Sequence, residues 1–439
     1  MSARASGFAT IIVLWVVAVT TALLMGLQST TFRQAAAGRE VMARTRAYWA
    51  ARGGIEATIA RLAHDTLNPD PSDPLRVVFD MEDVAEGTYP GASYAISHTE
   101  RDVELLGPED AHAKIHIATM TADALLLLPY MTEDTADAIV DWMDGDDEVS
   151  NFGAEYSQYL QQPYPYLPRN APIRSLLELE LVLGVEPLFV RGEDLNLNGL
   201  MDIWEDDGNG QFDREWGEFV TASSVGGGYA SSGQPRLNLA EADPGEVAQR
   251  TGVSAQQADV IVGWASGILA GQPRSMTDYI STPLTAMFNQ LNQGDGGNQG
   301  AIRPENLNSD QLALLLAEAT IVDLLDDGTP WLGKVNINTC SDKVLEYLPG
   351  IDIAVIDALI AARNSRGSAG FASLPEILDE TVLISQQQLA QLYEVLDVRS
   401  NVYICRSRGR DTATGIEVEI IATLDRSTLP VTIREVRIR

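Results

Sequence analysis

The hydrophobic pattern begins with one long apolar stretch. Residues 8–27 are twenty positions without a charged side chain, and as a helix they would extend about 30 Å, the thickness of a bilayer core. A cleaved secretory signal has an apolar stretch of only about 7–15 residues, followed by a small-x-small site. No such site follows here. The pattern therefore predicts one transmembrane span.

The helical pattern continues beyond this span. No proline occurs from residue 32 to residue 62. Apolar residues recur at helical spacing, namely Val41, Tyr48, Ile55, Ile59 and Leu62. We predict one helix from Phe8 to about Ala63, whose second half packs one apolar stripe on a domain.

The rest of the chain has β-like runs at both ends and helical patterns between them. A proline-rich segment at residues 68–74 ends the first helix. Residues 75–79 and 92–98 read as strands, and residues 401–438 alternate apolar and polar positions in the same way. We predict one αβ domain with a large helical insertion.

The insertion contains three copies of one pattern. Each copy begins with a base, an apolar residue, His or Asn, and a second apolar residue, at residues 114–117, 236–239 and 334–337. The second and third copies align without a gap at an offset of 98, and the first and third at 220. The pattern resembles the helix-hairpin-helix or SAM-like unit.

Such hairpins bind DNA phosphates in some proteins and serve as packing modules in others. The turn at residues 349–352 has Asp352 where a second glycine would let a phosphate approach, and residues 114–148 contain one base against nine acids. The whole chain has 30 basic and 62 acidic residues, a net charge of −32. We therefore favour packing and predict no nucleic-acid partner.

One segment matches a specific metal-binding pattern. Residues 194–205 fit the twelve-residue calcium-loop pattern D-x-[DN]-x-[DN]-G-x5-E at every specified position. The predicted ligands, which would supply side-chain oxygens and one carbonyl, are Asp194, Asn196, Asn198, Leu200 (carbonyl), Asp202 and Glu205. A weaker second site would use Asp206, Asp207, Asn209, Gln211 and Asp213. We expect one or two calcium ions.

Two alternatives to this loop stay open. The loop residues also suit an Asx-rich turn whose side chains cap their own backbone. A rival cation group comprises Asp141, Asp144, Asp146, Asp147, Glu148 and Glu155, for which we favour solvated charge.

The remaining chemistry is sparse. His112 and His116 have no evident third partner for a transition metal. Cys340 and Cys405 either pair or are separate buried thiols. The chain has no nucleophile-elbow, zinc-protease, Walker or Rossmann motif, so we do not expect an enzyme.

The amino terminus carries the most informative resemblance. A short basic leader that ends in Gly7, followed by Phe8 and the apolar helix, resembles the class III leader of type IV pilins and type II secretion pseudopilins. The resemblance implies cleavage after Gly7 and methylation of Phe8 by prepilin peptidase. Most members have a glutamate five residues into the mature chain, where this sequence has Ile12. That departure is characteristic of the K-type minor pseudopilin.

The family resemblance implies both a fold and a role. The fold is α+β, with a pilin-like long N-terminal helix, a small antiparallel sheet, and a large all-α insertion that contains the three repeats. The role is at the tip of the type II secretion pseudopilus, which the subunit would nucleate and cap. Implied partners are the I- and J-type minor pseudopilins, the major pseudopilin, prepilin peptidase and the inner membrane.

These expectations divide the chain into segments. Residues 1–7 are the leader, 8–28 the transmembrane half and 29–66 the periplasmic half of the helix. Residues 67–110 and 399–439 form the αβ domain, and 111–398 the insertion. Within it lie the repeats at about 114–185, 236–282 and 334–390 and the calcium loop at 194–213.

Two other functions remain as alternatives. One is a minor pilin of a type IV pilus or DNA-uptake machine, and the other is a calcium-dependent adhesin with an uncleaved anchor. The location of the bulk in the periplasm follows from the resemblance alone. Five arginines follow the span and only Arg4 precedes it, which by the positive-inside rule would favour the cytoplasm.

Overall fold

The fold is described from a computed structural model. It describes residues 5–100, 103–196, 201–267, 274–292, 303–321 and 331–439. The helices are α1 Ala5–Leu67, α2 Arg76–Glu82, α3 Ala122–Leu125, α4 Glu133–Met143, α5 Tyr156–Leu160, α6 Pro187–Arg191, α7 Trp216–Phe219, α8 Pro244–Thr251, α9 Ala255–Ser266, α10 Asp278–Ser281, α11 Leu284–Leu291, α12 Ser309–Glu318, α13 Asp342–Glu346, α14 Ile353–Arg366, α15 Ile377–Glu380 and α16 Gln386–Val395.

Within the residues described, the strands divide between one main sheet and three short pairs. They are β1 Glu86–Tyr89, β2 Ala92–Glu100, β3 Val103–Leu106, β4 Glu109–Asp110, β5 Ile115–His116, β6 Val220–Thr221, β7 Leu237–Asn238, β8 Ala319–Thr320, β9 Val335–Asn336, β10 Leu396–Asp397, β11 Val402–Asp411, β12 Glu417–Asp425 and β13 Thr432–Ile438. The main sheet is antiparallel in the order β1-β2-β11-β12-β13, with β3 beside β2 and β4 beside β11.

The second half of α1 packs on this sheet through small side chains. Ala43, Ala47, Ala50 and Ala51 are almost fully buried, because they follow the three- and four-residue spacing of one helix face. On the sheet side, an added Cβ at Gly409 would overlap the backbone of Ala47 and Ala51. Glycine is therefore required where β11 passes under the helix.

An ion pair fixes the end of the same contact. Arg46 Nε donates to Asp411 Oδ1 at 2.6 Å, and the backbone nitrogen and hydroxyl of Thr414 donate to the other carboxylate oxygen. These bonds and the arginine hold the pKa of Asp411 at about 2. The carboxylate stays ionised, so α1 is tied to the end of β11.

One predicted strand is wrong. Residues 75–79 were expected to extend, but residues 76–82 form α2. Met81 is buried against the α1–sheet core with Val77 packed beside it, which is a helical spacing of four. Arg76 Nε also lies 3.2 Å from Asp80 Oδ2. Packing therefore overrides the strand preference of the two valines. The predicted strand at residues 92–98 is confirmed as β2.

The insertion has its own apolar core, and the chain enters and leaves it at a junction beside the sheet. Asp110 stands before the insertion and Ser400 after it. The Asp110 Oδ2 atom accepts the hydroxyls of Thr339 and Ser400, both at 2.5 Å, and Asn336 Nδ2 donates to the Ser400 hydroxyl at 2.8 Å. One carboxylate thus holds the two crossings of the chain together.

The three sequence copies occupy equivalent structural positions. Each begins in a two-residue parallel strand pair, with Ile115 opposite Val220, Leu237 opposite Ala319, and Val335 opposite Leu396. After each pair begins, the side chain of His116, Asn238 or Asn336 accepts a bond from the backbone nitrogen two residues on. The helix-hairpin-helix or SAM-like character of the copies stays a prediction.

The lysines that open the first and third copies act alike. Lys114 Nζ donates to the carbonyl of Gly217 at 2.6 Å, and Lys334 Nζ donates to the carbonyl of Tyr393. Both acceptors lie three residues before the second strand of the pair, at Val220 and Leu396, so each lysine caps the helix that leads into that strand.

We predict that Gly409→Ala will destabilise the protein by about 1–3 kcal/mol, because the new Cβ must push α1 away from β11. The measurement is denaturant unfolding of the full-length chain in detergent. The control is Gly38→Ala, an exposed helical position with nothing near the added Cβ, which should be neutral or slightly stabilising. Equal effects of the two substitutions would contradict the close approach.

Candidate functional site

The first half of α1 has an apolar surface with no partner in the described chain. The candidate membrane span lies within Phe8–Leu67 of α1. Its most apolar window has a mean hydropathy of 2.5 and is 0% buried. It is long and apolar enough to cross a membrane. Ile12 is 47% exposed on this surface, and Phe8 is 69% exposed just after the predicted cleavage position at Gly7.

Four threonine hydroxyls in this half of the helix are satisfied by its own backbone. The hydroxyls of Thr20 and Thr21 donate to backbone carbonyls three or four residues earlier, and those of Thr30 and Thr31 donate to the carbonyl of Leu27. A helix in hydrocarbon must bond its own polar groups. These hydroxyls therefore add no obstacle to insertion.

The predicted calcium loop is partly described. Asn198 and Leu200 lie outside the described residues, together with Leu197 and Gly199. Asp194 and Glu205 are buried, with 6% and 7% exposure. The two Glu205 oxygens accept the backbone nitrogens of Asn196 at 3.0 Å and Asp202 at 3.1 Å.

Two further loop contacts bring the predicted ligands together. Asn196 Nδ2 donates to Asp202 Oδ2 at 2.7 Å. Glu205 therefore closes the loop against residues from its start and its middle, and its role as a calcium ligand stays a prediction.

The segment that follows is organised by Glu193, which the sequence analysis missed. Its two carboxylate oxygens accept the backbone nitrogens of Asp207 at 2.7 Å and Asp213 at 3.0 Å. Glu193, Asp206 and Asp207 form a group whose carboxylate oxygens lie within 4.8 Å of one another. Glu193 directly precedes the twelve-residue pattern, which specifies nothing at that position, so no motif could identify it.

Residues 206–213 also have many bonds of the Asx-turn kind. Asp206 Oδ1 accepts the nitrogens of Gly208 and Gly210, and Asn209 Oδ1 accepts the nitrogen of Gln211. Asn209 Nδ2 donates to Asp213 Oδ2 at 2.9 Å. The predicted second set of ligands is thus gathered in one turn, and calcium binding there stays a prediction.

The rival acidic group is the more unusual of the two. Asp141 is 0% exposed and Glu155 is 1% exposed, so solvated charge is wrong for these two residues. Asp146, Asp147 and Glu148 are exposed, as that interpretation requires. Asp141, Asp144 and Glu155 each place a carboxylate oxygen within 4.8 Å of the others.

Glu155 is the least compensated of these carboxylates. Asp141 accepts the backbone nitrogen of Ser150 at 3.2 Å, whereas both Glu155 oxygens are buried without a hydrogen-bond partner. Burial, reinforced by the charges of Asp141 and Asp144, raises the pKa of Glu155 to about 7. A buried carboxylate without partners needs either a proton or a cation, and this group offers the oxygen ligands that calcium prefers.

The other candidate residues have ordinary structural roles. His112 Nδ1 bonds the carbonyl of Lys334 at 2.8 Å, and burial lowers the pKa of His116 to about 4. Neither acidic group found among the described residues includes a histidine. Cys340 and Cys405 are free and buried, so the disulfide alternative is wrong, and burial raises the pKa of each thiol to about 12.

The long N-terminal helix, the antiparallel sheet and the many inserted helices fit an α+β fold of the pilin-like class. Residues 109–192 match the model of a protein family described as "Type II secretion system (T2SS), protein K". The family match supports the interpretation of this chain as a K-type minor pseudopilin of type II secretion. The matched segment contains Asp141, Asp144 and Glu155, and it ends two residues before Asp194.

A solved structure with a related description is also similar. Its title is "The Crystal Structure of the GspK-GspI-GspJ complex from enterotoxigenic Escherichia coli Type 2 Secretion System", with 14% identity and a TM-score of 0.47. The alignment covers 92% of this chain and 99% of that chain. No curated protein matches the sequence.

We predict that the stability of the calcium-free protein depends on the protonation of Glu155. Because its pKa rises from 4.5 to about 7 on folding, the neutral form favours the folded state. This contribution is complete below the unfolded pKa and is lost as the pH rises through about 7. In chelator, Glu155→Gln should remove this loss, so that the variant melts higher than the wild type above neutral pH.

The measurement is the thermal unfolding midpoint of both proteins across this pH window. Glu148→Gln, at an exposed position of the same loop, is the matched control and should follow the wild type. Parallel curves for Glu155→Gln and the wild type would refute the prediction.

Proposed function

We propose that this protein acts at the tip of the type II secretion pseudopilus, where it nucleates and caps the filament with the I- and J-type minor pseudopilins. The observation that carries the proposal is the apolar first half of α1 with isoleucine, not an acid, at position 12. In the family, the glutamate at this position pairs with the amino group of the subunit above. A carboxylate in the bilayer costs about 2.5–3.5 kcal/mol on insertion scales, so a subunit with nothing above it has no reason to keep one.

The insertion supports the capping role by its size and attachment. Residues 111–398 are joined to the sheet at the Asp110–Ser400 junction. A body of that length beside the sheet obstructs the addition of another subunit above, while α1 stays available to subunits below. The major pseudopilin is then the partner of α1, and prepilin peptidase the enzyme that processes the leader.

The charge of the insertion argues against a DNA-contacting tip. Residues 111–398 contain 13 basic and 43 acidic residues, which gives a net charge of −30. The whole chain has a net charge of −32. The third hairpin turn also presents Asp352, whose carboxylate accepts the nitrogen of Ala354 at the start of α14. An acid in this position occupies the place that a phosphate would need.

We further propose that calcium binds the loop of Asp194, Asn196, Asn198, Leu200, Asp202 and Glu205, with a second ion near Asp206, Asp207, Asn209, Gln211 and Asp213. The buried Asp194 and Glu205 and the Glu193 group support this proposal. Two asparagines reduce the ligand charge, which suits a weak site that fills at calcium levels outside the cytoplasm. We place the anchor in the inner membrane as a single pass, with the bulk in the periplasm.

The processing prediction separates a pseudopilin from an anchored adhesin. We expect the mature protein to begin at Phe8, and Gly7→Leu to block cleavage. In a strain that lacks this subunit, the Gly7→Leu chain should fail to restore secretion of type II substrates, because an uncut leader keeps the subunit out of the filament. Gly26→Ala, a second glycine of the same helix with no neighbour near its Cβ, is the control.

The measurements are amino-terminal sequencing, substrate in the medium, and copurification with the other minor pseudopilins. A wild-type chain that begins at Met1, or a Gly7→Leu chain that supports secretion, would exclude the proposed function.

For the metal, we expect calcium at roughly ten- to a hundredfold excess over Kd to stabilise the protein by about 1–3 kcal/mol. Asp194→Ala with Glu205→Ala should abolish this calcium-dependent gain. The control is Asp357→Ala with Asp379→Ala, two exposed acids elsewhere in the insertion, which should keep it. The measurement is thermal unfolding with calcium or chelator, read as the difference for each variant. An unchanged difference in the loop variant would contradict the site.

A further inference from the structure

The part of α1 that follows the apolar stretch carries a local excess of positive charge. Between residues 33 and 52 there are five arginines and a single acid, Glu40, in a chain whose net charge is −32. This part of α1 is therefore a basic segment next to the proposed membrane span, in contrast to the strongly acidic insertion.

Three of these arginines have ionic partners. Arg44 Nη2 lies 3.2 Å from Glu40 Oε1, Arg52 Nη2 lies 2.5 Å from Glu56 Oε1, and Arg46 pairs with Asp411. Arg33 and Arg39 are exposed and make no ion pair within the part of the chain that the structure describes. These two guanidinium groups are available to an external anion.

Helix geometry places Arg33 at the edge of the bilayer. It follows Leu27, the last residue of the apolar stretch, by six residues, which is about 9 Å along the helix. Side chains of a helix lean toward its amino terminus, and here that direction leads back to the membrane. The polar layer outside a hydrocarbon core is about 5–7 Å thick on each side, so the Arg33 guanidinium reaches it.

Arg39 lies about 9 Å farther along the helix. Leaning back in the same way, it is within about one Debye length of the headgroups. Thr30 and Thr31, which lie between Leu27 and Arg33, donate to the carbonyl of Leu27 at 2.8 Å. The hydroxyls at this end of the apolar stretch therefore need no water. The helix can therefore pass through the interface without a break.

We propose that Arg33, with Arg39 behind it, binds the phosphate groups of anionic phospholipids where α1 leaves the bilayer. The inference rests on the proposed membrane anchor but not on which side the bulk occupies. Guanidinium groups bind phosphate through two parallel hydrogen bonds. An anionic surface also repels the insertion, whose net charge is −30, so the two arginines set the depth of the helix against that repulsion.

The test uses the full-length processed chain in neutral detergent, titrated with phosphatidylglycerol or with phosphatidylcholine of the same acyl chains. Bound lipid is counted by native mass spectrometry. We expect the wild type to prefer phosphatidylglycerol about fivefold or more, since each basic residue near a lipid surface contributes about a fivefold factor. The preference should fall as salt increases.

The variant Arg33→Gln with Arg39→Gln should lose the preference, and both positions are exposed, so folding is not at risk. The matched control is Arg44→Gln with Arg52→Gln, which removes two paired arginines farther from the span and should keep the preference. Equal binding of the two lipids by the wild type would overturn the proposal. So would a preference that survives in the first variant or is lost equally in the control.

Two additional arms distinguish other anions. If millimolar inorganic phosphate abolishes the preference whereas chloride at the same ionic strength does not, the arginines form a site for a free anion and the proposal is wrong. If the first variant keeps the lipid preference but no longer copurifies with the other minor pseudopilins, the arginines serve an acidic protein partner and the proposal is again wrong. A failed lipid test with intact cleavage at Phe8 and normal secretion would leave the proposed function standing.

Discussion

The structure depends on one constraint, which is that the apolar first half of α1 must lie outside water. Large side chains such as Leu14, Trp15 and Leu24 are more than half exposed there, and each fully buried side chain of this kind is worth about 1.5–3 kcal/mol. This half of α1 therefore needs a partner outside the chain, either lipid or the helices of neighbouring subunits. The second half of the helix must in turn hold the rest of the chain firmly to that partner.

Two devices transmit this attachment from the helix to the insertion. The alanines on α1 and Gly409 on β11 let the helix and the strand pack closely at this one position. The Arg46–Asp411 ion pair then fixes the position of the helix along the strand. From β11 the chain continues back to Ser400, whose hydroxyl donates to Asp110. The Asp110–Ser400 hydrogen bond and β11 therefore connect the insertion to the helix.

Local sequence patterns predicted the elements that form without a distant packing partner or that pair with a neighbouring strand. The span needs only a run of apolar residues, and β2 and the C-terminal strands needed only alternation. Residues 76–82 failed this reasoning because the contact of Met81 with α1 outweighs the strand preference of valine. The roles of Glu193 and Glu155 were missed for a related reason. Glu193 bonds a backbone nitrogen 20 residues away, and Glu155 is buried by the packing of other residues around it. A sequence pattern gives the spacing of residues along the chain, but it does not show which side chains become buried.

The buried acidic group joins the chemistry of the insertion to its packing. Asp141 precedes Trp142 on α4, and the Trp142 ring meets the fully buried Tyr159 of α5 at 5.1 Å between centroids. Glu155 is the N-cap residue directly before α5. Neutralising these carboxylates therefore favours the packing of the two helices, because like charges in a buried site repel. A proton does this below neutral pH, and a bound divalent cation would do it at neutral pH. A cation bound here would hold the two helices together, a structural effect that needs no catalytic step.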